Sequence, residues 1–238
     1  MWLTGRSDRA GTADLPLDIE IRPIRNARRM RLRFDEARGV LKLTCPPRTS
    51  RKAALRWAGE QRAWIDQQLA ARQPLEPFEP GAAIPVEGAP VRLIWVEGAN
   101  RAAVLADGEL RIGGPRLGFE RRVESFLRKR ALKTMAVEVA EFAGRAGVTA
   151  SAVSIGDAAT RWGSCSSSGR IRLNWRLILA SPDVRRFVVA HEVAHLVHLD
   201  HGAGFRALEE RLVGPELAEA KAKLRLEGPR LRRLGRRG

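Results

Sequence analysis

The sequence predicts an α+β protein: a small amino-terminal β-rich region with one helix, then a region organised around a buried helix that carries a metal-binding motif. Three observations lead there. The first half is dominated by short alternating or continuous apolar runs bounded by Gly, Pro and Asp, the pattern of strands. The second half holds longer stretches with apolar residues at helical spacing. All four histidines of the 238 residues fall between His191 and His201, in the run AHEVAHLVHLDHGAGF.

In chain order, Asp18–Ile24, Met30–Phe34 and Val40–Thr44 read as strands, and Ser50 to Ala71 as one helix with Leu55, Trp64, Ile65 and Leu69 turned to a core. The Pro/Gly-rich stretch Pro74–Pro90 then separates these from a meander of Val91–Val96, Ala103–Leu105 and Glu109–Ile112. A long amphipathic helix spans Phe119–Ala146 and stops at Gly147, followed by strands at Ala152–Ile155 and Ile171–Asn174. There is no internal repeat. The divisions expected are a flexible amino terminus (1–17), the β-rich region (18–115), a metal-motif region (116–227) and a basic tail (228–238) that is frayed and solvated.

Ser181-Pro182-Asp183 opens the motif helix with a capping serine, a proline at the first helical position and an acid in the first turn. From Val184 to Leu199 it is apolar nearly all round, which marks a buried helix. Two histidines and a glutamate there would be costly without partners, which weighs against satisfied core histidines. His191 and His195, four apart, share one face and can aim at one ion. Glu192, beside the first ligand, is placed to act on water rather than to bind metal. His198 extends the stripe, but seven residues of helix rise about 10 Å, too far for bonds of about 2 Å to one ion. The chain must turn back, and Gly202-Ala203-Gly204 is where the helix can stop. His201 sits there and is the favoured third ligand, with His198 on the pocket wall. Glu209 or Glu210 is the remaining candidate.

Three protein ligands with a fourth position left to water is the arrangement of catalytic zinc, so the expectation is one Zn2+ per chain and a hydrolase. Glu192 would take the proton from water and pass it to the leaving amine. Arg161 and His198 are the candidate oxyanion donors; the chain contains no tyrosine.

No apolar run approaches the roughly 20 residues that span a bilayer, and the start lacks the apolar stretch of a signal peptide. Cys45 and Cys165 do not make a disulfide framework, so a cytoplasmic location is the default. Lys plus Arg number 43 against 27 acids, a net charge of +16. Arginines cluster at 22, 25, 28, 29, 31 and 33 and in the tail. Such clusters can hold nucleic acid through its phosphates, or they can reflect an arginine-rich proteome.

Between the last two strands, Arg161-Trp162-Gly163-Ser164-Cys165 reads as a hairpin loop whose nearness to the motif helix suggests a pocket role. With every histidine committed elsewhere, Cys165 and Ser164 lack a base and read as packing residues.

Arg161-Trp162-Gly163-Ser164-Cys165, Leu173-Asn174, and His191-Glu192-Val193-Ala194-His195 through His201 and Phe205 together resemble the YgjP-like metallopeptidases, zincin-type proteins related to the SprT-like and WLM groups. RNARRMRLRFDEARGVLKLTCPP and RWAGEQRAWIDQQLA resemble that family's opening strands and helix, so the likeness covers roughly residues 20–212. It implies a minimal zincin-like fold with a small sheet on the metal helix, His191, His195 and His201 as ligands, and Glu192 as acid/base. Asp200, where the family usually has asparagine, and Arg206, where many members have an aromatic, are departures that bear on substrate fit. A metzincin reading is disfavoured by His198 in place of a glycine and by the absence of methionine after the site.

The expected function is a zinc metallopeptidase of proteins or peptides, with the substrate strand along the sheet edge near Ile171–Asn174. Arg161, Trp162, Asn174 and His198 are the candidates for substrate or transition-state contact. Two alternatives keep the metal: hydrolysis of a nucleotide phosphoanhydride with Arg161 and Arg170 on the phosphates, and a DNA-associated SprT-like protease.

Overall fold

Alternation of apolar and polar residues decides the first sheet. In the computed structural model, which describes residues 15–35, 39–70 and 74–236, β1 (Ile19–Pro23), β2 (Arg31–Asp35) and β3 (Val40–Cys45) pair in the order β1-β3-β2, β1 parallel and β2 antiparallel to β3. Ile19, Ile21, Leu32, Leu43 and Cys45 gather with Ala54, Trp57 and Ala58 into a small core. The single helix expected over Ser50–Ala71 is two, α1 (Arg51–Glu60) and α2 (Arg62–Ala70). Gln61 interrupts them, its N–H turned back to the carbonyls of Ala58 and Gly59, a place where Gly59 weakens the helix. Ser50 caps α1 by accepting from the Ala53 N–H at 3.2 Å. Residues 1–14 of the expected flexible terminus, and Ala71 at the end of the expected helix, lie outside the described residues.

The chain divides into two compact units between Pro74 and Leu75. In the second unit, β4 (Ala83–Val86), β5 (Ala89–Val96), β6 (Ala103–Ala106) and β7 (Glu109–Gly113) form a sheet of order β4-β5-β7-β6. The Pro74–Pro90 connector thus contains a strand. Its prolines hid it: Pro85 lies in an edge strand, where a missing N–H is tolerated. This sheet shares its core with the helices that follow.

Helix α3 (Phe119–Ala146) has the bounds the periodicity predicts. It buries Phe119, Val123, Leu127, Ala131, Met135, Val139 and Phe142 along one stripe, and ends at Gly147, whose φ of 72° suits glycine. β8 (Ala152–Gly156), β9 (Gly163–Cys165) and β10 (Arg170–Asn174) make a third mixed sheet, order β8-β10-β9. A short 3-10 helix (Trp175–Ile178) leads to α4 (Pro182–Ala194), α5 (Ala203–Val213) and α6 (Leu217–Arg233). The result is a mixed α+β protein with three small mixed sheets and six α-helices among the described residues.

Two expectations need correction. The motif helix ends at Ala194 rather than running to Leu199; Val197 and Leu199, read as buried, are 45% and 66% exposed. The basic tail is not frayed after Gly228: α6 continues through Pro229 to Arg233, and Leu231 and Leu234 are 3% and 0% exposed. Two apolar residues three apart suffice to dock a turn that arginines otherwise cover. Among the described residues no helix is long and apolar enough to cross a membrane.

Candidate metal centre

Helix α4 packs against α3, α5, α6 and the β8-β10-β9 sheet, and this enclosure explains why nine of its 13 residues are buried. Its register is anchored by Arg185, 5% exposed, which grips the equally buried Glu138 of α3 through three contacts of 2.9–3.2 Å. Pro182 and Asp183 start the helix as expected, although Ser181 makes no side-chain cap bond and its hydroxyl reaches Glu227 instead.

His191 lies in the last turn of α4 and His195 is its C-cap residue, still in helical conformation, so the two imidazoles share a face. The chain then tightens, with the N–H groups of Leu196, Val197 and His198 bonded to the carbonyls of Val193 and Ala194. Asp200, one of the departures, accepts from the Gly202 N–H at 3.2 Å and shapes the return. That return brings His201 back: its ring centroid is 5.4 Å from His191 and 4.7 Å from His195. One nitrogen from each of His191, His195 and His201 lies within 4.8 Å of the others. Phe205, 2% exposed, underlies the cluster, with its ring 4.5–5.0 Å from all three histidines.

The histidines are held from behind. His191 donates its Nδ1 proton to Glu209 Oε1 at 2.7 Å, and His195 donates its own to the His198 carbonyl at 2.9 Å. In both rings Nε2 is left as the free donor atom. Glu209, 3% exposed, also receives Lys221 at 2.7 Å. Burial alone would raise the Glu209 carboxyl, but these two donors hold it below its ordinary value. Burial, offset in part by the His198 carbonyl, lowers His195 and favours the neutral, ligating form.

Three imidazoles fit a zinc ion on this geometry. Tetrahedral bonds of 2.0–2.1 Å require donors about 3.4 Å apart, and the three nitrogens, all within 4.8 Å of one another, need only small side-chain movements to reach that spacing. The group comprises His191, His195 and His201, with no fourth His, Cys, Asp or Glu among the described residues. Glu192, 5% exposed, stands beside the cluster. Burial raises its carboxyl to about 7, against the pull of His191 and Arg161.

Strand β9 faces this glutamate. A Cβ on Gly163 would overlap the Glu192 carboxylate, so only glycine allows the strand this close. The loop expected at 161–165 therefore contains an edge strand. The substrate edge expected near Ile171–Asn174 is not an edge: β10 is central, paired with β8 and β9, which are the sheet's two edge strands, and β9 is the one beside Glu192.

The other candidates fall around β9. Arg161 is exposed. Trp162 is half-buried, stacked under Arg232 at 4.1 Å. Asn174 is buried and occupied by backbone, accepting from the Arg176 N–H and donating to the Ala158 carbonyl, each at 3.0 Å. The His198 ring packs over Gly204, where a Cβ would come within 2.8 Å. Cys165 is half-buried rather than buried, its thiol raised by burial and by Glu192. Sequence reasoning missed the hydrogen bond that Glu209 makes to His191. The signal was present: Phe205, Leu208, Glu209 and Leu212 follow amphipathic spacing, and an acid on the apolar face of a helix needs a partner.

A family profile described as YgjP-like, metallopeptidase domain, matches residues 28–227. No curated protein and no solved structure gives a match.

Proposed function

We propose, since the chain belongs to the YgjP-like metallopeptidase domain family, that it is a zinc-dependent peptidase with Glu192 as general base. The observation that carries this reading is the convergence of three imidazoles beside a buried glutamate, under a free strand edge that glycine brings into contact with it. His191, His195 and His201 would hold the ion. Zinc in such a site supplies Lewis acidity, activating water and polarising a carbonyl.

The rest belongs to the chain. An extended substrate pairs with the free edge of β9 through backbone hydrogen bonds, which sets its scissile carbonyl over the histidines. Glu192 accepts a proton from the attacking water as the new C–O bond forms. It returns that proton to the amide nitrogen as the C–N bond breaks. Burial holds the Glu192 carboxyl near 7, and a dication at its side would lower it, leaving Glu192 ionised and basic at neutral pH. Trp162 and Asn174 act by position: the first is clamped by Arg232, the second fixes the loop that leads into β9. His198 supports His195 through its carbonyl. A zincin-like arrangement in a cytoplasmic protein is the setting we assign to this chemistry.

The test is cleavage of an unfolded protein by zinc-loaded wild type and Glu192→Gln. The variant is expected to keep one zinc and lose activity by at least a hundredfold. Undiminished cleavage by a protease-free preparation of the variant would refute the mechanism.

A further inference from the structure

Beside the metal centre, a cavity of about 250 Å³ opens between the carboxy-terminal end of β8, strand β9 and the loop before it. Gly156, Asp157, Arg161, Trp162, Ser164 and Arg172 contribute to its walls. Ser164 and Arg172 are register partners across β9 and β10. They point away from the core, because the alternating residues Ile171 and Leu173 are buried. Gly156 leaves room for the Arg172 guanidinium to lie across β8; a Cβ there would collide with it.

The cavity is positive and uncommitted. Arg161 and Arg172 are exposed, and neither guanidinium makes a hydrogen bond or a close ion pair among the described residues, although Arg161 acts on Glu192 through its charge. Asp157, the acid in the wall, is already engaged by Arg176 and by Arg236 at 3.0 Å, with Arg128 at 3.9 Å. No acid in the wall is left unengaged to neutralise the two arginines.

We propose that this cavity receives an acidic side chain of the substrate, held by Arg161 and Arg172, so that cleavage is favoured near Asp or Glu. The proposal rests on the peptidase reading above. A substrate strand on the free edge of β9 alternates its side chains, so every second one emerges on the face of Ser164 and Arg172. A carboxylate there meets guanidinium groups with the planar, two-pronged geometry that matches it. The volume lies below the roughly 300–1,000 Å³ typical of small-molecule sites, which favours one side chain over a nucleotide.

Binding of labelled peptides to zinc-loaded Glu192→Gln tests this without turnover. The peptides differ only by Glu or Gln at successive positions. At one position the Glu peptide is expected to bind about tenfold more tightly. The ratio should fall to near one in Arg172→Gln and Arg161→Gln, and Arg172→Glu should come to prefer a Lys peptide. Both arginines are exposed, so an unchanged urea midpoint identifies the loss as one of recognition. Equal binding of Glu and Gln peptides, or a preference unchanged in both arginine variants, overturns the proposal. So does ATP or UTP binding more tightly than any acidic peptide in an Arg172-dependent way, which would assign the cavity to phosphate. The two readings fail separately: a wild type that cuts protein without acidic preference refutes the cavity's role alone. A wild type that selects Glu peptides but cuts nothing refutes the peptidase alone.

Discussion

The Arg232 guanidinium lies 4.1 Å from the Trp162 ring centroid and donates to the carbonyls of Ala158 and Ala159 at 3.3 and 2.6 Å. Gly228, one turn earlier in α6, leaves space for the same indole, since a Cβ would approach it to 3.3 Å. The carboxy-terminal helix therefore braces the loop that enters β9. Arg232→Ala is expected to cost about 1 kcal/mol in urea unfolding and to reduce peptidase activity beyond what that loss explains. Arg232→Lys should not restore it, because an ammonium lacks the planar face that stacks on the indole. Equal activity for Arg232→Ala and wild type would separate α6 from the site.

The Arg185–Glu138 pair joins α4 to α3 with both partners buried. Arg185→Ala strands a buried carboxylate, and the expected loss is about 3–5 kcal/mol by chemical denaturation. The double variant Arg185→Met, Glu138→Leu leaves no charge stranded and should recover most of it. A double variant as unstable as the single one would show that packing, not charge, is decisive there.

Glu209 reaches the metal centre through its hydrogen bond to His191. Glu209→Gln should lower zinc affinity about 10- to 100-fold, measured by competition with a chelator. Glu210→Gln is the control, since Glu210 is exposed on the same helix and should change nothing.

Gly163 admits β9 to the Glu192 carboxylate. Gly163→Ala must displace the strand or the glutamate, and activity should fall by at least tenfold while zinc affinity holds. Zinc loss in step with activity would mean that the strand supports the ligands rather than the base.

What could be read from the sequence is what depends on neighbours along the chain. The Phe119–Ala146 helix carries its own periodicity and its own glycine stop. Helix rise sets His198 aside and the Gly202–Gly204 stop favours His201 over Glu209 or Glu210; His201 lies in the histidine cluster. β9 was hidden because three residues, Gly163–Cys165, have no period to detect. The last turns of α6 were hidden because Gly228 and Pro229 read as breakers, while Leu231 and Leu234 find their burial in distant residues. The stacking of Arg232 on Trp162 is a tertiary fact with no local trace.

The histidine set itself is the most direct point of attack. Zinc titration by chelator competition should give one equivalent for wild type, an affinity at least a hundredfold weaker for His201→Ala, and near-wild-type affinity for His198→Ala. An intact site in His201→Ala together with a lost one in His198→Ala would contradict the triad of His191, His195 and His201, and with it the catalytic geometry built on it.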